Sequence, residues 1–427
     1  MNSNYKGMRA GFATVTTLFF MWGFITVSID PLIAALKAIF KLTYAEAMLT
    51  QFAFFMAYFV VSLPAAAIIA RLGNSKSIMF ALGVMVLGCL IVPMATMFDT
   101  YSLVLVALFV IASGITILQV VANPLAAALG HPERSHFRLT FSQTFNSLGT
   151  FLGPLLVAPI ILAGGIFAVT HGAEVTPALR EETFRKIDSV FFMIAGALLL
   201  LALFIFVFRK LLDVTKPVDE GQRPSIATAF KSRWAVFGAC AIFLYVGAEV
   251  SIGSAMTNFL HEPDMLNISM EDAGKMVSYY WGGAMVGRLI GSVLLFVVKE
   301  RAPWLLAGFA AVATCLCLAV SQLEGATSAY LALSIGLFNS IMFPVIFTAT
   351  LERSTAAPAA TSGLLCLAIV GGAILPYVFG LIADAAGLHA AYFLPAVAYA
   401  LIVVFAVAAS SAKTYEHGTA AAAATAH

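Results

Sequence analysis

Charge is what this chain has least of. Of 427 residues, 23 are Lys or Arg and 21 are Asp or Glu, 10% in all, against 61% hydrophobic. Soluble domains carry about 25% charged residues, and a water-dissolved globule of this composition would lack the polar groups to cover its surface. An ordinary soluble enzyme, a nucleic-acid binder and a disordered chain are thereby excluded. A net charge of +2 offers no field to a polyanion. Cysteine is sparse as well: Cys89, Cys240, Cys315, Cys317 and Cys366 all fall in apolar runs. Free thiols there act as small hydrophobes, so neither a disulfide nor a metal site is expected. No nucleophile–base pair or phosphate loop is found, and His131 and His136 stand in a short connection without a third ligand. The chain reads as no enzyme, and no cofactor is expected beyond a coupling H+ or Na+.

What is there is apolar runs. A helix needs about 20 apolar residues to cross the hydrocarbon core. Twelve such runs are present, near 11–36, 47–70, 77–98, 101–129, 137–164, 189–208, 234–260, 274–298, 303–322, 327–351, 360–384 and 389–410. The roughly 10-residue alternation of barrel strands is absent. The reading is an all-α membrane protein of twelve transmembrane helices. The first run is too long for a cleaved signal peptide. Lys and Arg concentrate on the side shared with the N-terminus (Lys6, Arg9, Arg71, Lys76, Arg209, Lys210 among them), while the other side holds Lys37, Lys41, Arg180, Arg185, Lys186 and Lys275. By the positive-inside rule both termini are expected in the cytoplasm, in a multi-pass protein of the cell (inner) membrane whose partner is the lipid bilayer.

The polar segment 209–233 splits the spans six and six. Expected units are therefore an N-terminal bundle 1–208, a cytoplasmic linker 209–233, a C-terminal bundle 234–412 and a flexible tail 413–427. The halves echo each other. Gln119 stands five residues before Pro124 in the fourth span, as Asn339 does before Pro344 in the tenth. Gly149 precedes Pro154 by five, as Gly371 precedes Pro376. Asp30 and Glu249 occupy the first and seventh spans, and each pair is separated by about half the chain. Two six-helix bundles related by an axis along the membrane normal are the major facilitator fold, with substrate near the midplane and alternating access.

Ionisable residues inside the membrane are costly and mark function by default. Here they are Asp30, Glu249 and Arg288. Trp22, Thr26 and Asp30 share one helix face at four-residue spacing, and a desolvated carboxylate is suited to taking up and releasing a proton. Cation coupling is therefore assigned to Asp30 and Glu249. With Tyr245 one turn before it, Glu249 also suits a sugar, a sodium ion or an ion pair with Arg288, whose own role is read as structural charge. The amides Gln119, Asn123, Gln143 and Asn146 fall at helical spacings and offer donors and acceptors together, which suits a hydroxyl-rich ligand. With Tyr245, Glu249 and Asn339 they form the candidate substrate set, joined by Trp22, Tyr280 and Trp281 as rings that stack on a C–H face.

Several segments resemble a known family: Phe19–Phe24 (FFMWGF), Gln51–Phe59 (QFAFFMAYF), Gly114–Gln119 (GITILQ), Ala122–Pro124 (ANP), Gln143–Thr150 (QTFNSLGT) and Tyr245–Ser254 (YVGAEVSIGS). On these the chain is identified as resembling the fucose–galactose–glucose:proton symporter family of the major facilitator superfamily, most of all its glucose/galactose branch. The resemblance implies cation-coupled hexose uptake, with the coupling carboxylate at Asp30 and cavity amides at Gln143 and Asn146. Two departures stand out. Gln119 occupies the place of an acid in the fucose branch, and Ser28-Ile29-Asp30 replaces the usual Leu-Asn-Asp. The expectation is import of a hexose by proton symport, with sodium symport, or export of small metabolites or drugs, as the alternatives. The protein is expected to act as a monomer.

Overall fold

A computed structural model describes residues 2–129, 135–167, 176–212, 226–298, 301–356 and 358–414. Most of the linker 209–233, most of the tail 413–427, and His131 lie outside the described residues. The described residues hold helices and no strand. Helix α1 (Asn2–Phe40) carries the first span, α2 (Tyr44–Met97) the second and third, and α3 (Tyr101–Ala128), α4 (Ser135–Ile161) and α5 (Pro177–Phe208) the fourth to sixth. The seventh to ninth lie on α6 (Arg233–His261), α7 (Met270–Val298) and α8 (Ala302–Val320). Helices α9 (Gly325–Asn339) and α10 (Met342–Arg353) make the tenth, α11 (Pro358–Leu367) and α12 (Gly371–Ala386) the eleventh, and α13 (Leu388–Ala391) and α14 (Phe393–Ser411) the twelfth. Eleven described stretches are long and apolar enough to cross a membrane.

Local chemistry sets the breaks. Gly73 (φ 75°, ψ 176°) takes a backbone shape that residues with a Cβ avoid, and there α2 turns from the second span into the third. Thr43 and Glu46 form a capping box at the start of α2, with Thr43 Oγ1 accepting from Glu46 N and Thr43 N donating to Glu46 Oε2 at 2.9 Å. At the start of α6, Ser232 Oγ accepts from Ala235 N at 3.4 Å. Large apolar side chains on the outward faces, Leu199, Leu200 and Val293 among them, are exposed, as helices in lipid require. Cys89 and Cys317 are buried in the protein, whereas Cys240, Cys315 and Cys366 are on exposed helix surfaces. Arg353, at the end of α10, is buried. Its Nε donates to Ala409 O at 2.9 Å, satisfying one of the carbonyls left free at the end of α14.

The repeat seen in sequence is a repeat in space. A Cβ added at Gly149 would collide with the main chain of Phe20, and one at Gly371 with the main chain of Phe243. The glycine of each half thus lets the fifth span touch the first, and the eleventh touch the seventh, backbone to backbone. The amide–proline pairs correspond too. Gln119 Nε2 donates to Tyr58 OH at 2.9 Å, and Asn339 Nδ2 donates to Tyr280 OH at 2.6 Å.

Helices α1–α5 pack mainly among themselves, as do α6–α14, and the two groups meet chiefly through α4 with α7, α2 with α12, and α1 with α6. We call the side where α1 begins and α14 ends the terminal face, and the opposite side the distal face. At the distal face Asp384, near the end of α12, accepts from Tyr44 N at 2.6 Å and Ala45 N at 2.8 Å. It therefore caps α2 from the other group. Tyr44 OH donates to Glu262 Oε1 at 2.8 Å, and Lys37 Nζ lies 4.0 Å from the Tyr44 ring centre. Gly380 abuts the main chain of Ala45, and Gly274 abuts Ala158. Among the described residues, the hydrogen bond between the groups that lies nearest the terminal face is Arg288 Nη1 to Ser147 Oγ, at 2.6 Å. The bundles are closed on the distal side.

Candidate substrate and cation site

Two polar clusters lie along this interface. The first surrounds Asp30, which is 2% exposed. Trp281 Nε1 donates to its Oδ2 at 3.0 Å, and Ser254 Oγ donates to its Oδ1 at 3.3 Å. Gln51 Nε2 donates to Ser254 Oγ at 2.7 Å and reaches Asp30 Oδ1 at 3.5 Å. The four residues come from α1, α2, α6 and α7, so the carboxylate of one group is held by donors of the other. The donors are neutral, so among the described residues the acid is hydrogen-bonded without an ion-pair partner. That leaves it free to exchange a proton without breaking a salt bridge.

The second cluster is deeper. Glu249 is half-buried on α6, and its Oε1 is buried without a hydrogen-bond partner among the described residues. Tyr245, one turn away and 1% exposed, and Arg288 both act on it electrostatically. Arg288 also reaches across to Ser147 on α4. One guanidinium therefore links the candidate acid of one group to the helix carrying Gln143 and Asn146 of the other.

The remaining expected residues divide. Gln119 and Gln143 are half-buried. Asn123 is half-buried, with Oδ1 buried and without a hydrogen-bond partner among the described residues. Asn146 is turned to α1, where its Nδ2 donates to Phe19 O at 3.2 Å, so it ties the first span to the fifth. Trp22 is 4% exposed, with its ring 4.1 Å from that of Phe19. Tyr280 and Asn339 are fully buried, and Tyr280 OH donates to Glu249 O at 3.0 Å. In this conformation the rings of Trp22 and Tyr280 present no open face to a ligand, because close helix packing covers them. Trp281 remains half-buried, with its indole nitrogen committed to Asp30.

Gln51 and Ser254 were not among the expected site residues. Gln51 was visible as an amide opening an otherwise apolar segment. Ser254 was not, since serines are common in membrane helices and most bond their own helix. Ser28 and Ser251 do so, to the carbonyls of Phe24 and Gly247. The oxygen of Ser254 instead faces another helix.

Two six-span groups closing around buried acids, amides and rings at mid-depth define a transport protein. Its residues 12–365 match the model of the Major Facilitator Superfamily, and the chain belongs to that family. It is 42% identical to a glucose/galactose transporter of Brucella abortus over 94% of this chain and 95% of that protein. It is 29% identical to the L-fucose-proton symporter of Escherichia coli over 92% of each. Among solved structures, FucP, a Major Facilitator Superfamily transporter in the outward conformation, superposes with a TM-score of 0.69 at 26% identity, covering 95% of this chain and 100% of that one. These relatives are transporters, not enzymes.

Proposed function

We propose that this chain imports a hexose of the glucose/galactose type by proton symport. The observation that carries the proposal is the Asp30 carboxylate, buried between the two bundles and held by neutral donors from both. The terminal face is cytoplasmic and the distal face extracytoplasmic, in keeping with the Lys and Arg asymmetry. The protein sits in the inner membrane with both termini inside. Asp30 binds the proton, and the sugar sits deeper, against Gln119, Asn123, Gln143, Glu249 and Trp281. Amides satisfy both the donors and acceptors of a sugar hydroxyl, and an indole stacks on its apolar face. Rocking of the bundles then exposes both to the cytoplasm. The membrane potential contributes about 2.3 kcal/mol per charge per 100 mV, enough to concentrate a neutral sugar more than tenfold.

Sodium symport is the second reading, favoured by the unpartnered Glu249 Oε1, a hard oxygen ligand. One experiment separates them. The protein is reconstituted in proteoliposomes, and uptake of labelled glucose, galactose, mannose, fucose and N-acetylglucosamine is measured under a pH gradient and, separately, a sodium gradient. Accumulation of glucose or galactose under the pH gradient alone is the expected result. Accumulation under sodium alone replaces the proton by sodium, and no uptake of any of the five sugars overturns the sugar reading.

A further inference from the structure

The Asp30 cluster takes two residues from each bundle, so it exists only while the distal side is closed. Ser254 and Trp281 belong to α6 and α7, Asp30 and Gln51 to α1 and α2, and the bonds between them cross from bundle to bundle. Any rocking that parts the bundles at the distal face removes both foreign donors from the carboxylate at once. Gln51 stays on its own side. We infer that Ser254 and Trp281 are positioning residues that make Asp30 release its proton on closure: they reach the carboxylate only in the distal-closed state and there favour its charged form. This deepens the proton-symport reading and rests on it.

The hydrogen-bond directions are dictated by chemistry. An amide nitrogen and an indole nitrogen only donate. Gln51 Nε2 therefore occupies a lone pair of Ser254 Oγ, and the hydroxyl hydrogen of Ser254 is left for Asp30. The serine hydrogen is available because it is not spent on the carbonyl one turn back, as it is in Ser251. In the closed state Asp30 Oδ2 faces the indole N–H and Oδ1 faces the hydroxyl, with Gln51 behind. These donors stabilise a carboxylate and oppose a carboxylic acid, whose own hydrogen would meet the donor hydrogens. On closure the O–H bond of the Asp30 carboxyl breaks, the proton passes to water on the terminal side, and the electron pair left on oxygen accepts the incoming donors. On opening, the donors withdraw and the carboxylate takes a proton from water on the distal side.

Several charged groups elsewhere on the packed elements are engaged with others. On α1, Lys37 lies on the Tyr44 ring, and on α2 Glu46 caps Thr43. On α6 and α7, Glu249 interacts with Arg288, and Lys275 with Glu271. On α5, Arg180 pairs with Asp99 and Asp188 accepts from Thr96. The switch around Asp30 therefore runs through neutral donors.

The test uses right-side-out membrane vesicles containing the full chain, with labelled galactose as probe and external pH held constant while lumenal pH is varied. An acidic lumen inhibits uptake because the proton fails to leave. Each variant is normalised to its own rate at alkaline lumenal pH. Removing one donor to a charged group shifts a proton equilibrium by about one unit or more. For Ser254→Ala, and for Trp281→Phe, which keeps the ring, the lumenal pH at half-inhibition is expected to rise by about one unit. Ser254→Thr, which restores the hydroxyl, is expected to return to the wild-type curve. Superposition of the Ala and Phe curves on wild type overturns the inference and leaves proton symport standing. A wild-type rate indifferent to lumenal pH and to the pH gradient removes proton symport itself, and the inference with it.

Discussion

Asp384 offers the sharpest test of the closed distal face. Its carboxylate accepts from two main-chain N–H groups at the start of α2, at 2.6 and 2.8 Å, from the opposite bundle. Those groups are among the unsatisfied donors of a helix N-terminus, where negative charge is favoured. Hydrogen bonds to a charged group contribute about 1.5–3 kcal/mol each when shielded. Asp384 is exposed, so solvent screening discounts the pair to about 1–2 kcal/mol in total. Because the contact joins the bundles, its loss acts on the closed state alone, and 1–2 kcal/mol is a factor of about 5–30 in the ratio of open to closed. The assay is labelling by a membrane-impermeant maleimide in a background with the five native cysteines replaced. The reporter is Phe151→Cys, which faces Gly282 across the interface and shrinks the side chain rather than enlarging it. Asp384→Ala is expected to speed labelling from the distal side about 5–30-fold without substrate, and Asp384→Asn to speed it less, since an amide oxygen still accepts. Labelling of Asp384→Ala within twofold of the parent would falsify the latch, whatever its effect on uptake.

Three further outcomes follow from the same geometry. Asp30→Asn keeps the size of the side chain but binds no exchangeable coupling proton; gradient-driven accumulation should vanish while counterflow of labelled against unlabelled sugar persists, and full accumulation would remove Asp30 from the coupling role. Gly149→Ala and Gly371→Ala each force a Cβ into a neighbouring main chain, so each should cost about 1–3 kcal/mol as overpacking does, seen as a lower Tm in detergent; an unchanged Tm in either would contradict the backbone contact. Tyr280→Phe strips the partner of the fully buried Asn339 and a donor to Glu249 O, and should destabilise by about 1–2 kcal/mol, more than Tyr58→Phe, which loses the partner of the half-buried Gln119; the reverse order in Tm would mean that the two pairs are not equivalents.

Much of the fold and part of the site were legible beforehand. The spacings of Gln119 to Pro124 and of Asn339 to Pro344 mark a duplicated element, and in three dimensions each amide holds a phenol of its own bundle. Asn146 was equally visible as a polar residue in the membrane, but its bond to Phe19 O is set by how closely α1 and α4 approach, which depends on Gly23 and Gly149 together. Helical spacing names a face, not the neighbour across it. For that reason Tyr280 read as a stacking ring and is a buried strut.

By itself the sequence determined the solvent this chain lives in and the number and order of its spans. It also determined the internal repeat and the scarcity that singles out Asp30, Glu249 and Arg288, because apolar runs and charge costs are properties of composition and local order. Tertiary structure alone decided which of these groups meet. Asp30 is joined to Ser254 and Trp281, and Arg288 to Ser147, only because residues more than a hundred positions apart are brought within 3.3 Å. It also decided that the distal side is closed, through Asp384 and the start of α2. Contacts between bundles follow from how the helices pack against one another, and no local pattern encodes that.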